Sequence, residues 1–456
     1  MSLNRTQRHW AFSALILATV IAVLDISAIN LALPTIADDL GLGIGNVLWL
    51  SKANLLARSI AILPCAAIGD VVGHRRIFSA GLLTFALTAT GCALSSDLEL
   101  LITLRALQGC ASAAIMCSSL VLLREIFPAN MLGAALGVNA LFVAVATTAG
   151  PIVSGLILTF LSWRWLFALG PLLALTALSL GLAHLPEKRS PESRFDWLGA
   201  LLFISTAGVL LIGYLLPESP WSVILALVLG GAFLRHQQQT RWPILPLSLF
   251  RSLRFDYALM ASIIAFIGQN CAFIALPLAL QQEMKFSPLA AAGLFIAWPL
   301  MTAVIGPWAG KWADNGTPRA VACAGIAIFA LGLAALATLP TNAQAVDIMW
   351  RTAICGVGFG LFQSPNNREI LTNAAAQHSA RAAALLSAAR LIGQALGAIM
   401  VGIALSQPQT GRLTDFPGLL RYACALQIVS FTLGALIWIA RSKKNRVSTS
   451  TSPENL

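Results

Sequence analysis

Charge is scarce in this sequence. Of 456 residues only 10% are Asp, Glu, Lys or Arg, whereas 58% are hydrophobic. Soluble domains carry roughly 25% charged residues, so a water-facing surface cannot be built from this chain, and lipid must cover most of its outside. Histidine is scarcer still. His9, His74, His184, His236 and His378 all stand at or beyond the ends of apolar segments, which leaves no buried histidine relay. There is no phosphate-binding glycine loop, no metal-ligand cluster and no nucleophile–base arrangement. Those absences argue against ATP-driven transport by this chain alone and against an enzyme. The eight cysteines fall in or beside apolar segments without zinc-ligand spacing. They read as small hydrophobes, not as a disulfide framework.

What the chain has instead is long apolar runs. Only helices and closed barrels cross a bilayer, and a barrel strand needs about 10 residues of alternating polarity. The runs here are unbroken and supply the roughly 20 residues that a spanning helix requires. An all-α integral membrane protein is therefore expected. Fourteen transmembrane segments are predicted, near 11–34, 47–69, 77–96, 99–122, 131–160, 164–185, 196–216, 220–234, 256–280, 288–311, 319–339, 346–367, 380–406 and 418–440. Arg5 and Arg8 before the first run suggest a signal peptide, but the run continues through Asp25 to Pro34 without a cleavage site and reads as the first span.

The net charge of +11 is not a nucleic-acid signal, because the cations sit in short gaps between apolar segments. With the N-terminus placed in the cytoplasm, only Arg164, Lys285, Arg412 and Arg421 fall outside the cell. Lys52, Arg58, Arg105, Arg351 and Arg390 fall inside helices, and every other Lys and Arg is cytoplasmic. This bias supports the helix count and puts both termini in the cytoplasm of a cell (inner) membrane protein. A weak repeat adds symmetry. In "AAIGDVVGHRR" (66–76) and "GKWADNGTPR" (310–319), Asp70 and Asp314 each stand four residues after a small residue and ahead of basic ones. Such repeats mark secondary transporters whose halves rock around a midplane site. The expected organisation is a six-helix bundle (1–186), a linker with two extra helices (187–250), a second six-helix bundle (251–440) and a basic tail (441–456).

Several motifs then come in order: "LDISAINLALPTIADDL" (24–40), "GDVVGHRR" (69–76), "RALQGCASAA" (105–114), "AGPIVSG" (149–155), "GFGLFQSPNN" (358–367) and "ARLIGQALG" (389–397). The set resembles the major facilitator superfamily, and within it the fourteen-helix drug:proton antiporters. Ala66 and Ser154 stand where that family usually has glycine. The resemblance implies a monomer that exports small amphipathic compounds by alternating access, driven by protons, with no other cofactor.

Individual residues give these expectations a chemistry. Asp25 is the one carboxylate placed deep in a span, where insertion costs about 2.5–3.5 kcal/mol, so it is the candidate proton carrier. Arg105 stays charged. It either modulates Asp25, orders the site, or bonds backbone carbonyls. Arg58 lies too deep to snorkel and should face a cavity or a carboxylate, whereas Lys52, near the outer end, can snorkel. These cations leave a neutral or anionic substrate open. Asn30, Asn54, Arg58, Gln108, Gln269, Asn270, Trp298, Phe362, Gln363 and Asn366 are candidate cavity residues, alongside Phe266, Phe273, Asn367 and Gln394. For the polar ones the alternative is a bond to a neighbouring helix, and for the aromatic ones plain packing. Asp70, Gly73, Arg75, Arg76, Gly150, Pro151, Ser154, Gly155, Asp314 and Arg319 are candidate gating residues. Small residues four apart let helices approach, and Pro151 favours a kink. Asp347 and Arg351 should pair one turn apart. Two other readings stand beside export: a specific metabolite carried on the same scaffold, and a membrane receptor or assembly subunit that transports nothing.

Overall fold

Lipid offers a backbone no hydrogen bonds, so each spanning segment must pair its own N–H and C=O groups. The computed structural model does this with helices, and among the described residues there is no strand. It describes residues 4–187, 195–215, 220–245, 247, 250, 253–314, 318–340, 343–372 and 379–405. The helices are α1 (Arg5–Leu40), α2 (Ile44–Val47), α3 (Trp49–Val72), α4 (His74–Leu94), α5 (Leu98–Ile126), α6 (Ala129–Phe160), α7 (Arg164–His184) and α8 (Trp197–Leu215). They continue as α9 (Pro220–Gln239), α10 (Leu253–Gln282), α11 (Pro288–Phe295), α12 (Ala297–Asp314), α13 (Pro318–Ala337), α14 (Ala345–Thr372) and α15 (Ser379–Leu405). Ten spans among the described residues are long and apolar enough to cross a membrane, and two further apolar stretches, Val145–Phe160 and Trp197–Val209, are shorter. The segment predicted at 418–440 and the tail lie outside the described residues.

Helix ends follow local chemistry. Asn4 and Gln7 form a capping box at the start of α1, and Gly41, at φ 64°, closes its far end. Asp97 caps α5 by accepting from the Leu100 N–H at 2.8 Å. The single segment expected at 288–311 is two helices meeting at Ile296. Pro299 has no N–H to give the Phe295 carbonyl, so the ladder is interrupted there.

α1 and α3–α7 pack into one group, with α3 and α4 on α5, α4 on α7, and α1 on α6 and α7. α10–α15 form a second group, led by the pairs α13/α14, α12/α14 and α10/α15. The groups meet where α1 crosses α10, α3 crosses α15, and α6 crosses α11 and α12. α8 and α9 pair with each other and touch the first group through α3. Large apolar side chains such as Leu87, Leu172, Leu227 and Leu331 point outward, as contact with lipid requires. The end of the bundle that carries Arg5 is called proximal below, and the end that carries Gly41 distal.

A run of edge-to-face rings stiffens the second group. Phe273 meets Trp298 at 5.1 Å, Trp298 meets Phe329 at 5.6 Å, Phe329 meets Phe359 at 5.5 Å, and Phe359 meets Phe266 at 5.3 Å. Each such pair contributes about 0.5–1.5 kcal/mol beyond its burial. Together they bind α10, α12, α13 and α14.

Candidate functional site

The deep carboxylate and the deep arginines of the first group meet. Asp25, halfway along α1, accepts from Arg105 Nη1 of α5 at 2.6 Å, and Arg58 Nη2 of α3 lies 3.7 Å from its other oxygen. Both guanidiniums are buried, and the Asp25 side chain is only 10% exposed. Asp25 Oδ2 itself makes no hydrogen bond. The guanidiniums are held from several sides. Arg105 also donates to Gln108 Oε1 at 2.7 Å and to the Leu50 carbonyl at 3.2 Å, and stacks over Phe167. Arg58 donates to Asn54 Oδ1 at 3.1 Å and to the Ala22 carbonyl at 3.4 Å. Asn54 in turn donates to the Arg105 carbonyl at 3.1 Å, locking α3 to α5. That contact needs Gly109, where a methyl group would collide with the Asn54 carbonyl. Two cations share one anion here, with preorganised acceptors around them.

Two cavities flank this cluster. One, of about 150 Å³, lies within the first group and is lined by Asp25, Gln108, Gly150, Phe85 and Phe167 among others. The second, of about 50 Å³, lies between the groups. Arg58, Gln269, Asn270, Phe273, Arg390 and Gln394 are on its wall. Asp25 therefore borders one cavity and its partner Arg58 the other.

The remaining candidates fall in several places. Asn30 accepts from Ser51 Oγ at 2.9 Å and ties α1 to α3. Asn366 donates to Ser262 Oγ at 2.7 Å and to the Ala258 carbonyl at 3.1 Å, tying α14 to α10. Trp298 and Phe362 are buried against other rings. Asn30, Asn54, Trp298, Phe362, Gln363 and Asn366 are on the wall of neither cavity. Lys52 does not snorkel. It is buried, with its ammonium 4.9 Å from the Trp49 ring centre, because α3 turns that face toward protein. Asp347 and Arg351 do pair, at 3.1 Å. Arg390, read in sequence as a cation inside a helix but not as a site candidate, borders the space between the groups. A cation inside the otherwise apolar run of "ARLIGQALG" was the available signal.

At the distal end, α6 presses on α11. A methyl at Gly155 would stand 3.1 Å from both Ala292 Cβ and Leu289 Cα. Ser154, one residue earlier, donates to the Ala28 carbonyl of α1 at 2.9 Å. Pro151 lies inside α6. This small-residue row thus seats α6 between α1 and the second group. Nearby, Asp39 accepts from Trp163 Nε1 at 2.9 Å and Arg164 Nη1 at 3.1 Å. Those two bonds hold its carboxyl below the usual range.

At the proximal end, Gly73 takes φ 107°, ψ 129° between α3 and α4, a conformation that a side chain would strain. His74 Nε2 meets Asp70 Oδ1 at 3.1 Å, Arg75 donates to the Leu182 carbonyl, and Arg76 pairs with Glu187 at 2.7 Å. In the second group, Arg319 pairs with Glu369 of α14 at 3.0 Å. Both repeat loops thus tie a basic residue to an acidic one beyond their own hairpin. The Asp314 side chain is outside the described residues. Among the described residues no group of three or more His, Cys, Asp or Glu is placed to hold a metal ion.

Comparison with known proteins agrees with this architecture. The Major Facilitator Superfamily profile matches residues 15–398. The transporter YebQ of Escherichia coli (strain K12), described as uncharacterized, is 36% identical over 410 residues, covering 88% of this chain and 90% of its own. The riboflavin transporter RibZ of Clostridioides difficile (strain 630) is 27% identical over 380 residues, 82% of this chain and 83% of its own. The multidrug resistance protein Stp of Mycobacterium tuberculosis (strain CDC 1551 / Oshkosh) is 26% identical over 414 residues, 89% and 77% of the two chains. A crystal structure of a POT family transporter in complex with a thioalcohol-conjugated peptide superposes with a TM-score of 0.71. It covers 95% of this chain and 96% of that one at 13% identity, a likeness of fold alone. With the profile running from α1 into α15 and a relative 36% identical along nearly its full length, the chain belongs to the Major Facilitator Superfamily and is a multi-pass membrane transporter.

Proposed function

We propose that the protein is a proton-coupled exporter of small amphipathic compounds, of the fourteen-helix drug:proton antiporter type. It works by alternating access as a monomer in the cell (inner) membrane, with both termini in the cytoplasm. The observation that carries this reading is Asp25, a carboxylate buried in a span between two guanidiniums and bordering a cavity. An ionisable group at membrane depth is costly, so its presence there points to function. Arginine stays charged throughout, so Asp25 is the member that can take up and release a proton. Relatives named as multidrug resistance proteins support the efflux part of the reading. In this reading the gating residues are the α6 row with Gly150, Pro151, Ser154 and Gly155 at the distal end, and the two repeat loops with Asp70, Gly73, Arg75, Arg76, Asp314 and Arg319 at the proximal end. The two groups of helices are the two bundles that rock, and α8 and α9 are the inserted pair.

A second reading, transport of one specific metabolite, is favoured by the relative named as a riboflavin transporter. One experiment addresses both. Purified protein in liposomes, given an imposed pH gradient, is screened with dyes, antibiotics and vitamins for proton release from the lumen. Many unrelated substrates support efflux of the multidrug kind, and a single one supports the metabolite carrier. Proton movement with none of them refutes both.

A further inference from the structure

The cavity between the two groups has an unusual charge. Its wall carries two guanidiniums, Arg58 from α3 and Arg390 from α15, and no carboxylate among the described residues. The two cations repel each other across it. Asp25 offsets part of the charge of Arg58, at 3.7 Å, but is shared with Arg105 at 2.6 Å, and Arg390 is left without it. Among the described residues, Arg58, Arg105 and Arg390 gather around the single carboxylate of Asp25 and this cavity. Arg390 has a ring under it, Phe266 at 5.3 Å, but among the described residues no carboxylate pairs with it. The wall also holds polar atoms without partners: Arg58 Nε and Gln394 Oε1 are buried and make no hydrogen bond. Positive charge thus collects at one cavity wall, with Arg390 the member that no described carboxylate neutralises.

We infer that this cavity recognises an anionic group, a carboxylate or an oxoanion of similar planar geometry, on a substrate whose aromatic or apolar body rests against Phe273. The guanidinium fork matches two oxygens of one carboxylate. Gln269 adds an amide on the α10 side, whereas Asn270 Nδ2 is engaged with the Gln394 carbonyl at 2.6 Å. In the arrangement described here the cavity, at about 50 Å³, has room for a few waters. The ligand enters when the groups part. The same two cations repel a lipophilic cation, so the substrate class differs from the one that the resemblance to drug exporters suggests. This inference rests on the transport reading above only for the role of the cavity, not for proton coupling.

The test is equilibrium binding to the detergent-purified full chain, without any gradient. Three probes of one shape are compared by dialysis: 2-naphthoate, the neutral 2-naphthamide and the cationic 2-naphthylmethylammonium. The expected order is naphthoate first, about tenfold or more above the amide, with the cation weakest. Arg390→Gln brings naphthoate down to the level of the amide and leaves the amide unchanged, whereas Arg390→Lys keeps part of the preference. Three results overturn the inference: the cation binding as well as naphthoate, the Arg390→Gln variant keeping the full naphthoate preference, or none of the three binding at millimolar concentration. The ranking in the unmodified protein needs no variant to fold. Binding without coupling would sink only the proton role of Asp25, and coupling with the wrong charge preference would sink only this inference.

Discussion

Replacing Asp25 by Asn changes one charge and almost no volume. The amide oxygen can still accept from Arg105 Nη1, now at 2.6 Å from the carboxylate. Arg58 and Arg105 lose the anion placed between them. Removing one partner of a buried ion pair costs ~3–5 kcal/mol. The low end applies, about 3 kcal/mol, because Gln108 Oε1, Asn54 Oδ1 and the Leu50 and Ala22 carbonyls remain as acceptors. The variant should therefore insert and fold with lowered thermal stability in detergent. Its transport should change in kind. A gradient of one pH unit stores about 1.4 kcal/mol per proton, so one-for-one exchange concentrates a neutral substrate about tenfold. In proteoliposomes with that gradient, Asp25→Asn should show no accumulation, while counterflow of labelled against unlabelled substrate continues. Accumulation by the variant at the level of the unmodified protein, with the same dependence on external pH, refutes Asp25 as the proton carrier.

Gly155→Val forces a branched side chain into the α6–α11 contact, where even a methyl stands 3.1 Å from backbone and Cβ atoms. Overpacking of this kind costs about 1–3 kcal/mol, charged to the distally closed state. Turnover should fall about tenfold or more while a cysteine placed at the distal end becomes more reactive; unchanged reactivity speaks against closure by this row. Arg76→Ala removes an ion pair whose partners are both roughly half exposed, so thermal stability should move by less than about 1 kcal/mol. Turnover should nonetheless drop with substrate affinity retained, and a loss of affinity alone would place the loop outside the gating machinery. Asp39 has a folded pKa below its unfolded value, so its tie to α7 stabilises above the ordinary carboxylate range and is lost as pH falls through the folded value. Asp39→Asn should be less thermostable than the unmodified protein at about pH 6, and the difference should shrink as pH falls below the ordinary carboxylate range; a gap unchanged in acid contradicts the assignment.

Helices were legible because a bilayer leaves the backbone few alternatives. The long runs at 77–96 and 164–185 match α4 and α7 within a few residues. The meeting of Asp25 with Arg105 and Arg58 was legible for a similar reason, since deep charges need partners and these three share a depth. Rotation about a helix axis was not legible. Trp298 and Phe362 look in sequence like any cavity aromatic, yet α12 and α14 turn them into the ring stack. A run that is apolar on every side carries no moment to say which face meets protein. Arg390 was legible as a cation inside a helix, but its place on the cavity wall shared with Arg58 was not.

Asp25, Arg58 and Arg105 all hang from helices of the first group, and their acceptors at Ala22, Leu50, Asn54 and Gln108 do too. In the alternating-access reading proposed above, a swing of one group against the other carries the triad along as a unit. Of the three, Arg58 alone also borders the space between the groups. What occupies that space can touch one charged member of the triad directly, which makes Arg58 the clutch plate between the inter-group space and the carboxylate.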